Sequence, residues 1–196
     1  MILGVTGGIA SGKSTVSGYL KSKNLPIVDA DAISHKITGK NSVGAKAIKK
    51  AFGEEFFVCG RLDRQKLGQF CFENKERTQQ LNSILHPLII EEIDRELELL
   101  QQKNCPIIIL DVPLLFESGL DKKCNKTLCV ICEKETRVSR AMARSKISRL
   151  EVLARIENQM SDQERSSKSD FVIDNNGTID ETVKQIDKVL EELNYV

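Results

Sequence analysis

Gly7-Gly8-Ile9-Ala10-Ser11-Gly12-Lys13-Ser14 follows a short apolar run, Met1-Ile2-Leu3-Gly4-Val5-Thr6, and leads into Thr15-Val16-Ser17-Gly18-Tyr19-Leu20-Lys21. The octet has the form G-x-x-x-x-G-K-[ST]. Such a loop turns its backbone N–H groups inward around a polyphosphate, and the following helix points its positive dipole end at the same charge. The run before it suits a buried parallel strand, and Val16 and Leu20 stand four apart, as on a helix packed against a sheet. The alternative is a chance glycine-rich turn, which the ordered context of strand, loop, Lys-Ser and helix disfavours. Read as a phosphate site, the loop lets Lys13 reach the β- and γ-phosphates of a nucleotide, and Ser14 supplies a hydroxyl to Mg2+.

The 196 residues suffice for one full core with an insertion or two. Hydrophobic content of 40% and charged content of 29% are those of an ordinary soluble globular chain. A net charge of +1 argues neither for nor against nucleic acid, and no nucleic-acid partner is expected. No apolar run is long enough to span a bilayer, and the first residues enter a strand at once, so neither membrane nor signal peptide is expected and the location reads as cytoplasmic. Six cysteines include Cys129-Val130-Ile131-Cys132, a C-x-x-C. That stretch reads as a strand, where residues three apart point to opposite faces and cannot share one ion. Reduced thiols packed as small hydrophobes are expected.

Five apolar runs predict parallel strands, over residues 2–6, 26–30, 107–112, 127–131 and 171–173. Helical spacing joins them: Ile179, Val183, Ile186, Leu190 and Leu193 after Asn175-Asn176-Gly177, and Ile89, Ile93, Leu97 and Leu100 after His86-Pro87, with Pro87 suited to a first turn. Alternation of this kind predicts an α/β sheet with helices on both faces. Between the second and third strands lie roughly 75 residues, far more than a crossover needs. They include a helix over 64–72 with Asp63 as N-cap, and an irregular stretch over 53–60. A second long insert runs from Lys134 to Ser169. Both inserts belong above the strand C-termini, where such sheets bind ligands.

Asp29 and Asp31 flank Ala30 at the end of the second strand, and strand alternation puts both carboxylates on one side. One of them suits the activation of a hydroxyl nucleophile; capping of the next helix is the competing role for Asp31. His35 lies four residues on, on the same helix face, as a phosphate contact or simply a polar helix residue. Ile107-Ile108-Ile109-Leu110-Asp111 is an apolar strand ending in an acid, a form that holds Mg2+ in phosphate-loop proteins or that serves structure alone. Val112-Pro113-Leu114-Leu115-Phe116 reads as core or as a wall for the acceptor. The second insert carries nine basic against five acidic residues. Arg137, Arg140 and Arg144 form a helical stripe, and Arg155 with Gln159 an i, i+4 pair. Guanidinium groups beside a triphosphate neutralise charge on the transferring phosphate, and a closing lid excludes water.

Three classes of phosphate-loop protein compete: a lidded small-molecule kinase, a GTP switch and a motor-type ATPase. A switch reads guanine through Asn-Lys-x-Asp, but Asn125-Lys126-Thr127-Leu128 ends in leucine. Length, arginines and inserts fit the kinase. The chain closely resembles the dephospho-coenzyme A kinase family nearly end to end. The carriers are residues 5–15, Asp29-Ala30-Asp31 with His35, His86-Pro87-Leu88-Ile89, Val112 to Glu117, Arg155 with Gln159, and Asp174 to Gly177. The chain departs from the pattern at Arg144-Ser145, where the family usually has Arg-Asp.

The resemblance implies a three-layer phosphate-loop fold: a five-stranded parallel sheet of order 2-3-1-4-5, with a helical CoA-binding insert and a helical lid. One domain over 1–196 is expected, with core 1–31, 105–133 and 170–196, insert 32–104 and lid 134–169. The implied reaction is transfer of the ATP γ-phosphate to the ribose 3′-hydroxyl of dephospho-CoA, with Mg2+, by a monomer or weak homo-oligomer. The implied catalytic residues are Asp31 as base, with Lys13 and Arg140 stabilising the transferred phosphate. ATP would be bound by Gly8, Ile9, Ala10, Ser11, Gly12, Lys13, Ser14, Thr15, Arg140, Asn175 and Gly177, the last two beside adenine. Asp31, His35, His86, Pro113 and Leu114 would meet the acceptor; Ser14 and Asp111 stay metal candidates on the motif reading above, since the family does not fix an acid at 111. Another small-molecule kinase of the same fold and a non-enzymatic nucleotide sensor are the competing readings.

Overall fold

The computed structural model describes residues 1–195 and divides into two compact units, Met1–Val28 with Leu100 onward, and Asp29–Leu99. The first unit is built on β1 (Ile2–Gly7), fully buried along its length, which leads through the glycine loop into α1 (Lys13–Ser22). Next comes β2 (Ile27–Asp29), whose last residue opens the second unit.

In that second unit, α2 (Ala30–Ile37) and α3 (Val43–Phe52) precede a two-stranded antiparallel hairpin, β3 (Phe57–Val58) and β4 (Arg61–Leu62). Two further helices follow, α4 (Arg64–Phe72) and the 28-residue α5 (Lys75–Gln102). Ile48, Phe56, Leu67 and Cys71 form the centre of this unit, with Phe52, Phe57, Phe70, Leu81 and Leu85 packed around them. Burial of each large apolar side chain contributes about 1.5–3 kcal/mol. The segment expected to be irregular, 53–60, is instead a 3-10 turn over Glu54–Phe56 followed by the first strand of the hairpin, with Phe56 buried in this cluster. Asp63 caps α4 as expected, its Oδ1 accepting the Lys66 N–H at 3.0 Å.

Pro87 does not start a helix; it lies inside α5. A proline there deletes one backbone hydrogen bond, yet Leu81 and Leu85 are held on the aromatic cluster and keep the preceding turns helical.

Lys36 of α2 donates to Glu92 of α5 at 2.6 Å, and Arg95 donates to the same carboxylate through Nε at 2.9 Å and Nη2 at 2.6 Å. The Arg95 guanidinium first, then the Lys36 ammonium, hold the Glu92 carboxyl down at about 2. A carboxylate lowered in the folded state stabilises above its ordinary pKa, and the contribution is lost as pH falls through the folded value. Glu92→Gln should therefore lower the melting temperature at neutral pH, and the gap to wild type should close between pH 4.5 and about 2. A gap independent of pH in thermal melts would show that the charge is not the cause.

The first unit resumes with β5 (Ile108–Asp111) and β6 (Lys126–Ile131). Three helices follow, α6 (Lys134–Ser145), α7 (Arg149–Glu157) and α8 (Asp162–Lys168). β7 (Phe171–Asp174) and α9 (Ile179–Glu192) end the described chain. The sheet is parallel and ordered β2-β5-β1-β6-β7. With the hairpin strands left out of the count, this is the expected 2-3-1-4-5. Leu3 pairs in register with Ile109 on one side and Lys126 on the other, and Ile131 with Asp174. Alternate residues Leu3 and Val5 meet Val16 and Leu20 of α1 and Ile186 and Leu190 of α9 in one core. Ile179, counted on that apolar stripe, is exposed at the first turn.

All six cysteines are free. Cys129 lies buried in β6, and burial pushes its thiol up to about 11, the direction expected for a packed thiol rather than a ligand.

Candidate active site

Parallel strands deliver their C-terminal ends to one edge of the sheet, and in the first unit that edge carries the glycine loop after β1, Asp111 at the end of β5 and Asn175 after β7. The loop closes on itself through Ser11 N–H to Gly8 C=O at 3.0 Å, and Thr15 N–H to Gly12 C=O at 2.9 Å. Gly12, N-cap of α1, has φ +97°, and a Cβ there would lie 1.8 Å from Asn175 Nδ2. Only glycine satisfies both demands. Ala10 adopts φ +57°, a left-handed conformation that costs a non-glycine residue on the order of 1 kcal/mol.

Lys13 Nζ forms an ion pair with the buried Asp111 carboxylate. The apolar β5 carries that acid to the loop, so the two residues meet from positions 98 apart. Ser14 and Thr15, in the first turn of α1, are exposed. Thr6 Oγ1 donates to the Pro113 carbonyl at 2.9 Å, which fixes the turn after β5 and leaves Leu114 exposed while Leu115 is buried.

Asn175 is buried, and its side chain is turned into the loop. Nδ2 donates to the Ser11 carbonyl at 2.8 Å, and Oδ1 accepts from Thr182 Oγ1 at 2.9 Å. Gly177 lies in the exposed bend that follows. Arg140, exposed on α6, reaches back to Cys132 Sγ and the Asn175 carbonyl, both at 3.4 Å.

The arginine stripe of the second insert is helical as expected, but its members divide. Arg137 is buried, with Nε donating to the Ile9 carbonyl at 2.9 Å and Nη1 to Asp162 at 2.6 Å. Arg144 is exposed at the end of α6. Arg155 and Gln159 do not form a helical pair, because α7 ends at Glu157 and Asn158 is its C-cap. Gln159 instead accepts the Ile9 N–H at 2.9 Å. Glu117, Asp162 and Arg165, given no role in the sequence, complete a charge chain in which the guanidiniums are buried and the carboxylates reach solvent. Arg165 donates to Asp162 at 3.0 Å and to Glu117 at 3.4 Å. The Asp162/Arg165 spacing of three was the only local signal, and nothing in it foretells a fully buried guanidinium.

In the second unit, Asp29 and Asp31 are not two carboxylates on one strand face. β2 ends at Asp29, whose Oδ1 caps α2 by accepting the Ala32 N–H at 3.0 Å. Asp31 falls in the first helical turn and is exposed, so capping, the competing role for Asp31, belongs to Asp29. His35 shares α2 with Asp31, and its carbonyl accepts from Arg64 Nη2 at 3.0 Å. His86 is exposed on α5.

A family model described as dephospho-CoA kinase matches residues 1–181. A dephospho-CoA kinase of Fusobacterium nucleatum is 44% identical over 194 residues, covering 98% of both chains. Among solved structures, one from Thermus thermophilus superposes with TM-score 0.86 at 37% identity, covering 98% of this chain and 97% of the other. Dephospho-CoA kinase from Campylobacter jejuni superposes with TM-score 0.73 at 30% identity, covering 98% and 96%. With the phosphate loop, its sheet and the match across nearly the whole chain in agreement, this protein belongs to the dephospho-CoA kinase family.

Proposed function

We propose that this protein transfers the γ-phosphate of ATP to the ribose 3′-hydroxyl of dephospho-CoA, giving CoA and ADP, the last step of CoA synthesis. The observation that carries the reading is the Gly7–Ser14 loop, with Lys13 held by a buried strand-end carboxylate, in a chain that matches the family over residues 1–181. The loop and the N-terminus of α1 bind the phosphates from Gly8 to Thr15, and Lys13 stabilises the charge that develops on the transferring group. Adenine lies beside Asn175 to Gly177, where the backbone of the bend is what remains for recognition, since the Asn175 side chain is engaged with Ser11.

Asp31 takes the proton of the acceptor hydroxyl, with His35, His86, Pro113 and Leu114 contacting the acceptor. Residues 32–104 form the acceptor insert and residues 134–169 the lid, which brings Arg140 to the γ-phosphate. Arg140→Ala should then lower kcat more than it raises the KM for ATP; the converse pattern would make Arg140 a ground-state binder.

The donor set fits Mg2+, because the Ser14 hydroxyl and the Asp111 carboxylate are hard oxygen ligands of the kind that share the ion with substrate phosphates. When bound, the ion withdraws charge from the β- and γ-oxygens. A cytoplasmic monomer or weak homo-oligomer goes with this reading, and among the described residues no helix is long and apolar enough to cross a membrane.

The deciding experiment is an ADP-release assay with dephospho-CoA beside adenosine, nucleoside monophosphates and pantothenate. ADP release should depend on dephospho-CoA. Release with a monophosphate but not with dephospho-CoA would reverse the acceptor assignment, and release with none would remove the kinase reading.

A further inference from the structure

We infer that Arg137 and Gln159 are positioning residues that hold Ile9 at both its N–H and its C=O, so that the base of the lid holds the phosphate loop in its phosphate-ready shape. Three independent contacts converge on Gly8 to Ala10. Gln159 Oε1 accepts the Ile9 N–H at 2.9 Å, and Arg137 Nε donates to the Ile9 carbonyl at 2.9 Å. The Ala10 methyl packs into the cluster of Val138, Ala141 and Val152 from α6 and α7.

The sequence bears the mark of this grip. Gly8 occupies a position the phosphate-loop motif leaves open, yet a Cβ there would lie 2.3 Å from Arg137 Nη2 and 2.7 Å from Cζ. A side chain at 8 would have to displace that guanidinium from its bonds to Ile9 and Asp162.

The grip is itself anchored. The second arm of Arg137 bonds Asp162 at 2.6 Å, Asp162 receives Arg165, and Arg165 reaches Glu117 on the segment after β5. Glu117 also accepts the Met160 N–H at 3.2 Å, which fixes the residue next to Gln159. Two buried guanidiniums and two carboxylates thus balance in charge while tying residues 159–165 to the core. Because both guanidiniums are buried, a displacement that breaks one of these bonds strands a buried donor, and that cost favours this geometry.

The consequence concerns Ala10. Its left-handed backbone is the strained point of the loop, and it follows directly on Ile9, the residue whose N–H and C=O are both held. The Ile9 N–H is directed at Gln159, and the course of the loop that follows depends on that hold. Small displacements of a preorganised donor set are costly to binding and to transfer.

The grip matters where the loop takes ATP, as proposed above, so the test reads ATP binding with no acceptor present. Gln159→Leu removes the acceptor at similar size, and Gln159→Glu keeps it. The Leu variant should bind ATP roughly tenfold more weakly by calorimetry and show faster amide exchange at Ile9, with little change in melting temperature. The Glu variant should recover most of the affinity. Arg137→Lys, which cannot fork between Ile9 and Asp162, should shift affinity the same way. Wild-type affinity in Gln159→Leu, or equal losses in the Leu and Glu variants, would overturn the assignment. Failure of the wild-type chain to bind ATP would instead remove the kinase reading, and a wrong acceptor leaves this measurement untouched.

Discussion

Asp31→Asn is expected to lower kcat by at least about a hundredfold while leaving ATP affinity close to wild type, because the loss of a general base costs that much in the chemical step alone. The substitution keeps the shape and hydrogen-bonding reach of the side chain and removes its basicity. It also leaves the helix intact, since the α2 cap is Asp29 and not Asp31. Loss of one acidic charge from the first turn costs no more than about 1 kcal/mol through the helix dipole. Steady-state kinetics with varied ATP and varied acceptor, together with a thermal melt, separates these effects. Near-normal turnover in Asp31→Asn would remove that residue from the mechanism. Near-normal turnover there with a collapse in Asp29→Asn would move the base to Asp29.

Lys13→Ala should have the largest effect of any single change, because it acts on both transfer and fold. Activity should fall by on the order of a hundred- to a thousandfold, the usual range for the loss of one charge-stabilising donor at a transferring group. Stability should fall as well. The Lys13 side chain is 17% exposed and that of Asp111 8%, so removing the lysine leaves a mostly buried carboxylate without its cation. The expected loss is about 1–3 kcal/mol, below the full value for a completely buried pair. A second substitution separates the two consequences. Asp111→Asn added to Lys13→Ala should restore most of the melting temperature and none of the activity. A double variant no more stable than Lys13→Ala would show that the pair does not account for the fold's loss, and an active Lys13→Ala enzyme would show that the loop serves another purpose.

Local chemistry made much of this molecule readable in advance. The loop motif, the apolar runs of the five core strands and the cap at Asp63 depend on neighbours in sequence, and each appears where its residues predicted. Errors arose where two local rules competed. Strand alternation and helix capping both applied at Asp29, and the cap prevailed because the strand is only three residues long. Proline's preference for a first turn lost at Pro87 to the packing of Leu81 and Leu85. Arg155 and Gln159 matched helical spacing, but the helix stops between them.

The amino-acid sequence alone determined the phosphate loop, the parallel sheet that presents it and the family to which the chain belongs, because motif and periodicity are properties of adjacent residues. Only the tertiary structure decided which arginine is which. Arg137 and Arg140 are alike at helical spacing, yet one is buried against the Ile9 carbonyl and Asp162 while the other is exposed toward Cys132 and Asn175. What separates them is the contact from Arg137 to Ile9, 128 residues away along the chain, and no local pattern encodes that distance.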